Sequence, residues 1–294
     1  MQTIAIDWSG RDRGASETIW LARVRDGALV ELENGRDRDE VVAAAIAAAE
    51  AEPRTAVGLD FAFAFPAWYA ERRGWSTGRA IWEAMRVEAE TLLAICEPPF
   101  WGRPGHRAQT LGPGLRETDL RAPATPKSVF QIGGSGAVGT GSLRGMPHLL
   151  DLAEAGFAIW PFDDPALPVV VEIYPRLLTL LAAGGPVVKS RHRDRRAVME
   201  RCFPEQDPVL RERAAGSDDA FDAAVSALVM ARHADHLAAL ARVAPDAPAR
   251  LEGQFWLPPS EGPRPSAGGS AGRGAGPSIG AMTAETALED ARDA

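Results

Sequence analysis

Cysteine is nearly absent from this chain: Cys96 and Cys202 are the only two among 294 residues. Neither sits in a CxxC or in a Cys/His cluster. That spacing speaks against a structural zinc site and fits a reducing compartment. Long apolar runs are missing too. No stretch approaches the roughly 18 residues needed to span a bilayer, and the first residues lack the basic start and apolar run of a leader. The expected location is the cytoplasm. Lysine occurs only at Lys127 and Lys189, while arginine and alanine abound; this reads as the mark of a GC-rich genome rather than of a mechanism. There is no GK[ST] of a P-loop and no nucleophile elbow of a serine hydrolase. The net charge of −8 argues against coating nucleic acid by bulk electrostatics. A nuclease remains compatible with it, because a carboxylate-rich metal site itself adds negative charge.

What is present is an alternation of strands and helices. Residues 3–8 read as a strand, and residues 17–25 and 28–33 as two more joined by the turn pair Asp26-Gly27. Residues 37–52 form an alanine-rich helix that Pro53 ends, and 55–61 the next strand. The interval 62–168 is less regular and reads as a large insertion or lid. It holds a helix over 78–95, a Pro/Gly-rich loop to 115, and a glycine-rich run over 133–145 leading to a helix that starts near Pro147. A buried strand follows at 169–174, then helices at 176–183, 193–202 and 218–243, and an extended piece at 251–257. From about 259 onward Gly, Ser, Pro and Ala dominate, so 259–294 is expected to be a disordered tail behind one domain over 1–258.

Within these elements, acids occupy positions where a charge is costly. In the strand Thr3-Ile4-Ala5-Ile6-Asp7, the alternation places Asp7 with Thr3 and Ala5. In Val57-Gly58-Leu59-Asp60-Phe61 it places Asp60 with Gly58. Both acids end strands on a face lined by small residues, and they meet if the strands are adjacent and parallel. Glu172 follows three valines and precedes Ile173; buried there, it requires a partner, either an arginine or a metal ion or substrate hydroxyl. Ser217 is a helix N-cap, and Asp218 and Asp219 suit the positive end of the dipole. Asp222 instead shares a stripe with Val225 and Val229, on the core side. Converging carboxylates repel one another, and a hard divalent cation removes that conflict. An all-carboxylate set without His or Cys selects Mg²⁺ or Mn²⁺ over zinc.

The segments carrying these acids, IAIDWSG, GLDFAFAFP, VEIYP and DDAFDAAVSAL, resemble the predicted nucleases classed as domain-of-unknown-function family 429. SVFQIGGSGAVGTGSLRG, IWPFD and EGQFWLP resemble the family as well, so the likeness covers residues 1–258. That family is placed in the RNase H-like superfamily. The resemblance implies an α/β fold with a mixed five-stranded sheet flanked by helices, the large insertion lying between strands four and five. The first three strands would be antiparallel neighbours and the fourth parallel to the first. In related Holliday-junction resolvases, acids come from the first strand, the fourth strand and the last helix, which are the places of Asp7, Asp60, Asp219 and Asp222 here. Glu172 has no clear counterpart there.

Other signals are weaker. Gly134-Ser135-Gly136-Ala137-Val138-Gly139 matches GxGxxG, but the expected helix is delayed and the acids Asp163 and Asp164 come late, which disfavours NAD or FAD. A backbone nest at Ser135 and Gly136 for a phosphate or base stays open. Lys189, Arg191, His192, Arg193, Arg195 and Arg196 form a basic run that would track a phosphate backbone or simply solvate a helix start. His233 and His236 are expected on the surface. Two functions follow. The first is a metal-dependent nuclease or phosphodiesterase acting on DNA or RNA, with Asp7, Asp60, Asp219, Asp222 and Glu172 as catalytic candidates. The second is a non-catalytic protein of the same fold that binds a nucleotide or a partner. An actin-like phosphotransferase is a distant third, since the turn after Asp7 lacks the DxGT pattern.

Overall fold

The hairpin at the start of the chain follows its turn chemistry. Asp26 and Gly27 both take positive φ, the twist that joins β2 (Trp20–Arg25) to β3 (Ala28–Glu33). β1 (Gln2–Asp7) lies antiparallel to β2, with the single turn α1 (Ala15–Thr18) between them. α2 (Arg38–Ala51) opens on a capping box, the Asp37 side chain accepting from Glu40 N and the Glu40 side chain from Asp37 N. It returns the chain to β4 (Thr55–Leu59), which pairs in parallel with β1. This computed structural model describes residues 1–109, 111–121, 126–134 and 136–259; the glycine-rich tail lies outside them. Residues Met1–Pro259 form one compact unit.

The next interval holds α3 (Ala67–Arg72), α4 (Gly78–Ile95), α5 (Glu117–Leu120) and α6 (Val138–Glu154), then β5 (Ala158–Trp160) and β6 (Val169–Glu172). β5 is a correction to the expected five strands. The sheet has six among the described residues, in the order β3-β2-β1-β4-β6-β5. Three residues at a sheet edge are too few to show alternation in sequence. β4, β6 and β5 are mutually parallel, and β1, β2 and β3 antiparallel.

α6 is a second correction. It opens at Val138, directly on the glycine run, and carries Pro147 inside. Glycine weakens an isolated helix by roughly 1 kcal/mol per residue, so the run reads as loop in sequence. Packing reverses this. A Cβ on Gly139 would lie 2.1 Å from Val129 O, and one on Gly145 2.7 Å from the Phe61 ring.

α7 (Pro175–Ala183), α8 (His192–Cys202), α9 (Pro208–Gly216), α10 (Asp218–Arg232), α11 (Ala234–Ala238) and α12 (Ala249–Glu252) complete the unit. The expected helix over 218–243 is therefore broken after Arg232, and α9 was not anticipated.

Two apolar cores sandwich the sheet. Ile4, Ile6, Val57 and Leu59 face α2, α4 and α6. Ala5, Ala22, Ala56 and Val171 face α10. The second face is small for a reason: a Cβ on Gly58 would sit 2.7 Å from Met230 Sδ. α10 therefore rides close on the strands, and Thr3 Oγ1 donates to Ala227 O at 3.0 Å. No described helix is long and apolar enough to cross a membrane.

Candidate functional site

Strand register brings the first two aspartates together. Ile6 pairs with Leu59 in the parallel ladder, and Asp60 N donates to Ile6 O at 3.2 Å. The next position sets Asp7 beside Asp60 at the C-terminal ends of β1 and β4, on the face that α10 covers. α10 is capped by Ser217, whose hydroxyl accepts from Ala220 N, and delivers Asp222 to the same place. Asp7 and Asp222 are buried and Asp60 half-buried. Asp219 stands half-buried at the margin, and the exposed Asp218 is taken by Arg195 at 2.6 Å.

The electrostatics are those of crowded acids. Burial, then repulsion from Asp60, Asp222 and Asp219, holds the Asp7 carboxyl well above its ordinary range. Burial and the charge of Asp222 push Asp60 up to about 8, against the pull of Lys189. Burial also raises Asp222, and burial with the neighbouring Asp218 raises Asp219. The counter-charge is Lys189, from the α7–α8 loop, whose Nζ donates to Asp222 Oδ2. Burial pulls that lysine down, but the charges of Asp222, Asp60 and Asp7 outweigh it and hold it above its ordinary value. Asp222 Oδ1 is buried without a hydrogen-bond partner. One ammonium thus stands against Asp7, Asp60 and Asp222.

Glu172 is placed differently. It pairs with Leu59 across the β4–β6 ladder, one residue short of Asp60, so its side chain leaves the sheet on the opposite face from Asp7 and Asp60. Its partner is the arginine of the ordinary alternative. Arg116 Nη1 donates to Glu172 Oε2 at 2.7 Å and Nη2 to Oε1 at 2.5 Å. Phe63 N adds a third bond to Oε2 at 3.0 Å. Asp119 accepts from the same guanidinium at 2.7 Å and from Arg116 N at 3.0 Å, and Glu252 O accepts at 3.1 Å. The two carboxylates hold Arg116 above its already high value despite burial. Every carboxylate oxygen of Glu172 and Asp119 has a donor, so Glu172 does not join the aspartates.

A cleft of about 310 Å³ opens at this end of the sheet. Asp60, Asp222 and Lys189 form one wall, Arg116 and Glu172 another, and Lys127 and Gly136 a third. Both lysines of the chain therefore line one cleft, which gives their scarcity a spatial meaning that composition did not. Of the four residues expected to bind substrate, Gly136 lines the cleft, and Lys189 lines it but is paired with Asp222. Arg193 is exposed and pairs with its neighbour Asp194 at 3.3 Å, away from the cleft. Ser135 lies outside the described residues. Lys127, Arg176 and Trp8 line the cleft without having been singled out in sequence. The rarity of lysine was the available signal for the first; the others carried none.

Among the described residues, no three His, Cys, Asp or Glu side chains are grouped to hold a metal ion. The donors nevertheless fit a hard divalent cation. They are carboxylates only, they repel one another, and one buried oxygen of Asp222 is unpartnered. Among the described residues no named strand directly precedes the GxGxxG run; Gln131 forms an isolated bridge with Trp101. His236 is half-buried and accepts from Trp256 Nε1 at 3.2 Å.

No curated protein and no solved structure matches the chain. A family model does, over residues 10–250, an interval that holds Asp60, Glu172, Asp219 and Asp222 and begins just after Asp7. The chain belongs to that family, described as Protein of unknown function (DUF429).

Proposed function

We propose that this chain is a metal-dependent nuclease or phosphodiesterase of the RNase H-like type, acting through Asp7, Asp60, Asp222 and Asp219. The observation that carries the reading is the under-neutralised aspartate group, built by β1, β4 and α10 with an unpartnered buried oxygen on Asp222. The RNase H-like assignment is supported by β1, β2 and β3 running antiparallel beside a β4 parallel to β1. Those four aspartates would hold Mg²⁺ or Mn²⁺, which when bound supplies Lewis-acid charge and an acidified water for attack on phosphorus. Without it, Lys189 is the counter-charge, and burial and mutual repulsion favour the protonated forms of Asp7 and Asp60. Arg116 and Glu172 act as positioning residues that fix the far wall of the cleft. DNA or RNA as substrate rests on the family resemblance.

The test is cleavage of labelled single-stranded, duplex, branched and hybrid nucleic acids with Mg²⁺ or Mn²⁺, beside Asp7→Asn. Cleavage lost in the variant is expected. Equal cleavage by both proteins would remove Asp7 from the chemistry.

One observation favours a second reading. Lys189 already occupies Asp222, and no three described acids stand grouped around a point. A protein that binds a nucleotide or a partner without cleaving would have this arrangement. Metal binding by calorimetry with no cleavage of any substrate selects it.

A further inference from the structure

The basic run at the start of α8 is largely spent on the protein itself. His192 pairs with Glu212 at 3.0 Å, and Arg196 with Glu200 at 2.8 Å and Glu212 at 3.8 Å. Arg195 alone of the run is buried, at 5% exposure. A guanidinium placed there needs acceptors, and it has four. Nε donates to Ala215 O at 2.8 Å and Nη2 to Gly216 O at 3.2 Å. Nη1 donates to Asp218 Oδ1 at 2.6 Å and to Lys189 O. Ala215 and Gly216 end α9, where carbonyls otherwise lack partners, and Asp218 begins α10. One side chain of α8 thus ties the α9–α10 junction to the loop that carries Lys189.

Lys189 is held at both ends. Its carbonyl accepts from Arg195, and its ammonium donates to Asp222. Asp218 and Asp222 stand four residues apart, on successive turns of one face of α10. The ion pairs Arg195–Asp218 and Lys189–Asp222 therefore lie side by side along α10, joined through Lys189 O. The rest of the loop supplies little hold. A Cβ on Gly184 or Gly185 would meet nothing within 4 Å. The backbone amides of Gly185, Lys189 and Arg191 donate to Leu180, Val187 and Val188, all within α7 and the loop. A lysine on so open a segment has much rotamer freedom to lose in reaching one partner. A fixed carbonyl removes part of that cost in advance.

We infer that Arg195 is a positioning residue for the aspartate group: by fixing the Lys189 carbonyl against the start of α10, it seats the ammonium on Asp222. Among the described residues, its own hydrogen bonds end on Asp218 and three carbonyls, and it does not line the cleft. It acts on Asp7, Asp60 and Asp222 through Lys189. The charge balance of the site is thereby set from α8, outside the cleft. This deepens the reading of the group as a cation site and rests on that reading for what the seat is for.

The rarity of lysine makes the seat observable. Lys127 and Lys189 are the only two lysines of the chain. Lys127 is exposed and Lys189 half-buried, so the first serves as an internal reference for the second.

The experiment is competitive acetylation of the metal-free full chain with N-hydroxysuccinimidyl acetate, each lysine read by mass spectrometry of its peptide. It is run for the wild type, Arg195→Met, Asp222→Asn and the double variant, with melting curves for each. In the wild type, Lys189 should react about tenfold or more slower than Lys127, the scale of one charged hydrogen bond. Arg195→Met should speed Lys189 by about tenfold and leave Lys127 unchanged. In the Asp222→Asn background the ammonium is already free, so Arg195→Met should add less than about twofold. Equal acceleration in both backgrounds would make Arg195 a purely structural residue and overturn the proposal. An unchanged Lys189 rate in Arg195→Met, or a wild-type Lys189 as fast as Lys127, would overturn it too. Arg195→Gln, which keeps a donor, carries the test if Arg195→Met does not fold, and loss of the fold in both also rejects the positioning role. Mg²⁺ calorimetry of the wild type runs beside it. No Mg²⁺ binding with this acetylation pattern would retire the metal reading and leave the positioning standing; Mg²⁺ binding with equal acetylation rates throughout would do the reverse.

Discussion

Two groups of acids sit at the same end of the sheet and are built on different rules. Around Glu172, one guanidinium and two backbone amides supply a donor to every oxygen of two carboxylates. Around Asp7, three aspartates share one ammonium, and an oxygen of Asp222 has nothing. Both groups are buried and both are acidic. The difference is in hydrogen-bond closure. A closed network rigidifies and needs no further partner, whereas an open one is under strain that a ligand relieves. Burial of an acid alone therefore does not distinguish the two groups; hydrogen-bond closure does.

This contrast can be broken at its strongest point by Arg116→Ala. Removing one partner of a buried ion pair leaves uncompensated charge and is expected to cost about 3–5 kcal/mol. That corresponds to a fall in Tm on the order of 10 °C, and a variant that melts like the wild type would dissolve the distinction.

Asp60→Asn tests the open group by the opposite sign. The folded value of Asp60, about 8, stands above its ordinary 3.8. The protonated form is thus favoured by folding, and its stabilisation is complete below pH ~4 and lost as pH rises through about 8. In metal-free protein, the variant should melt with the wild type near pH ~4 and above it at pH ~8–9, by on the order of several °C. Parallel melting curves across that range would show that Asp60 carries no raised titration.

Lys189→Met sharpens the picture further. Without the ammonium on Asp222, Mg²⁺ should bind several-fold more tightly in calorimetry, and weaker binding would make Lys189 a supporter of the ion rather than its stand-in. The smallest effect belongs to Arg193→Ala. It is an exposed residue paired only with its neighbour, so Tm should stay within about 1 °C and affinity for pentathymidylate should not change.

Much of the fold was legible where local pattern and tertiary packing agree. The Asp26-Gly27 turn, the capping box of α2 and the alternation of β1 and β4 each report their own structure. Asp7, Asp60 and Asp222 were legible for the same reason, as polar residues interrupting those patterns. What escaped depended on distant chain. Nothing near Glu172 names Arg116, 56 residues away, so the arginine and metal alternatives could not be separated. The face Glu172 takes was equally out of reach, because only the β4–β6 register fixes it. The start of α6 was hidden because its glycines answer to Val129, Phe61 and Gly10, none of which is local. The Lys189–Asp222 pair joins a loop to a helix and leaves no periodic trace.

The position of β1 carries a consequence in time. The strand lies inside the sheet, between β2 and β4, and its Thr3 hydroxyl is answered by Ala227, 224 residues further on. On the ribosome, Asp7 and Asp60 emerge long before α10 exists. A nascent chain can therefore pair its first strands while the carboxylates of Asp7 and Asp60 remain hydrated. The crowded, desolvated group arises only when α10 docks, and a chain interrupted before that helix carries the acids without the site.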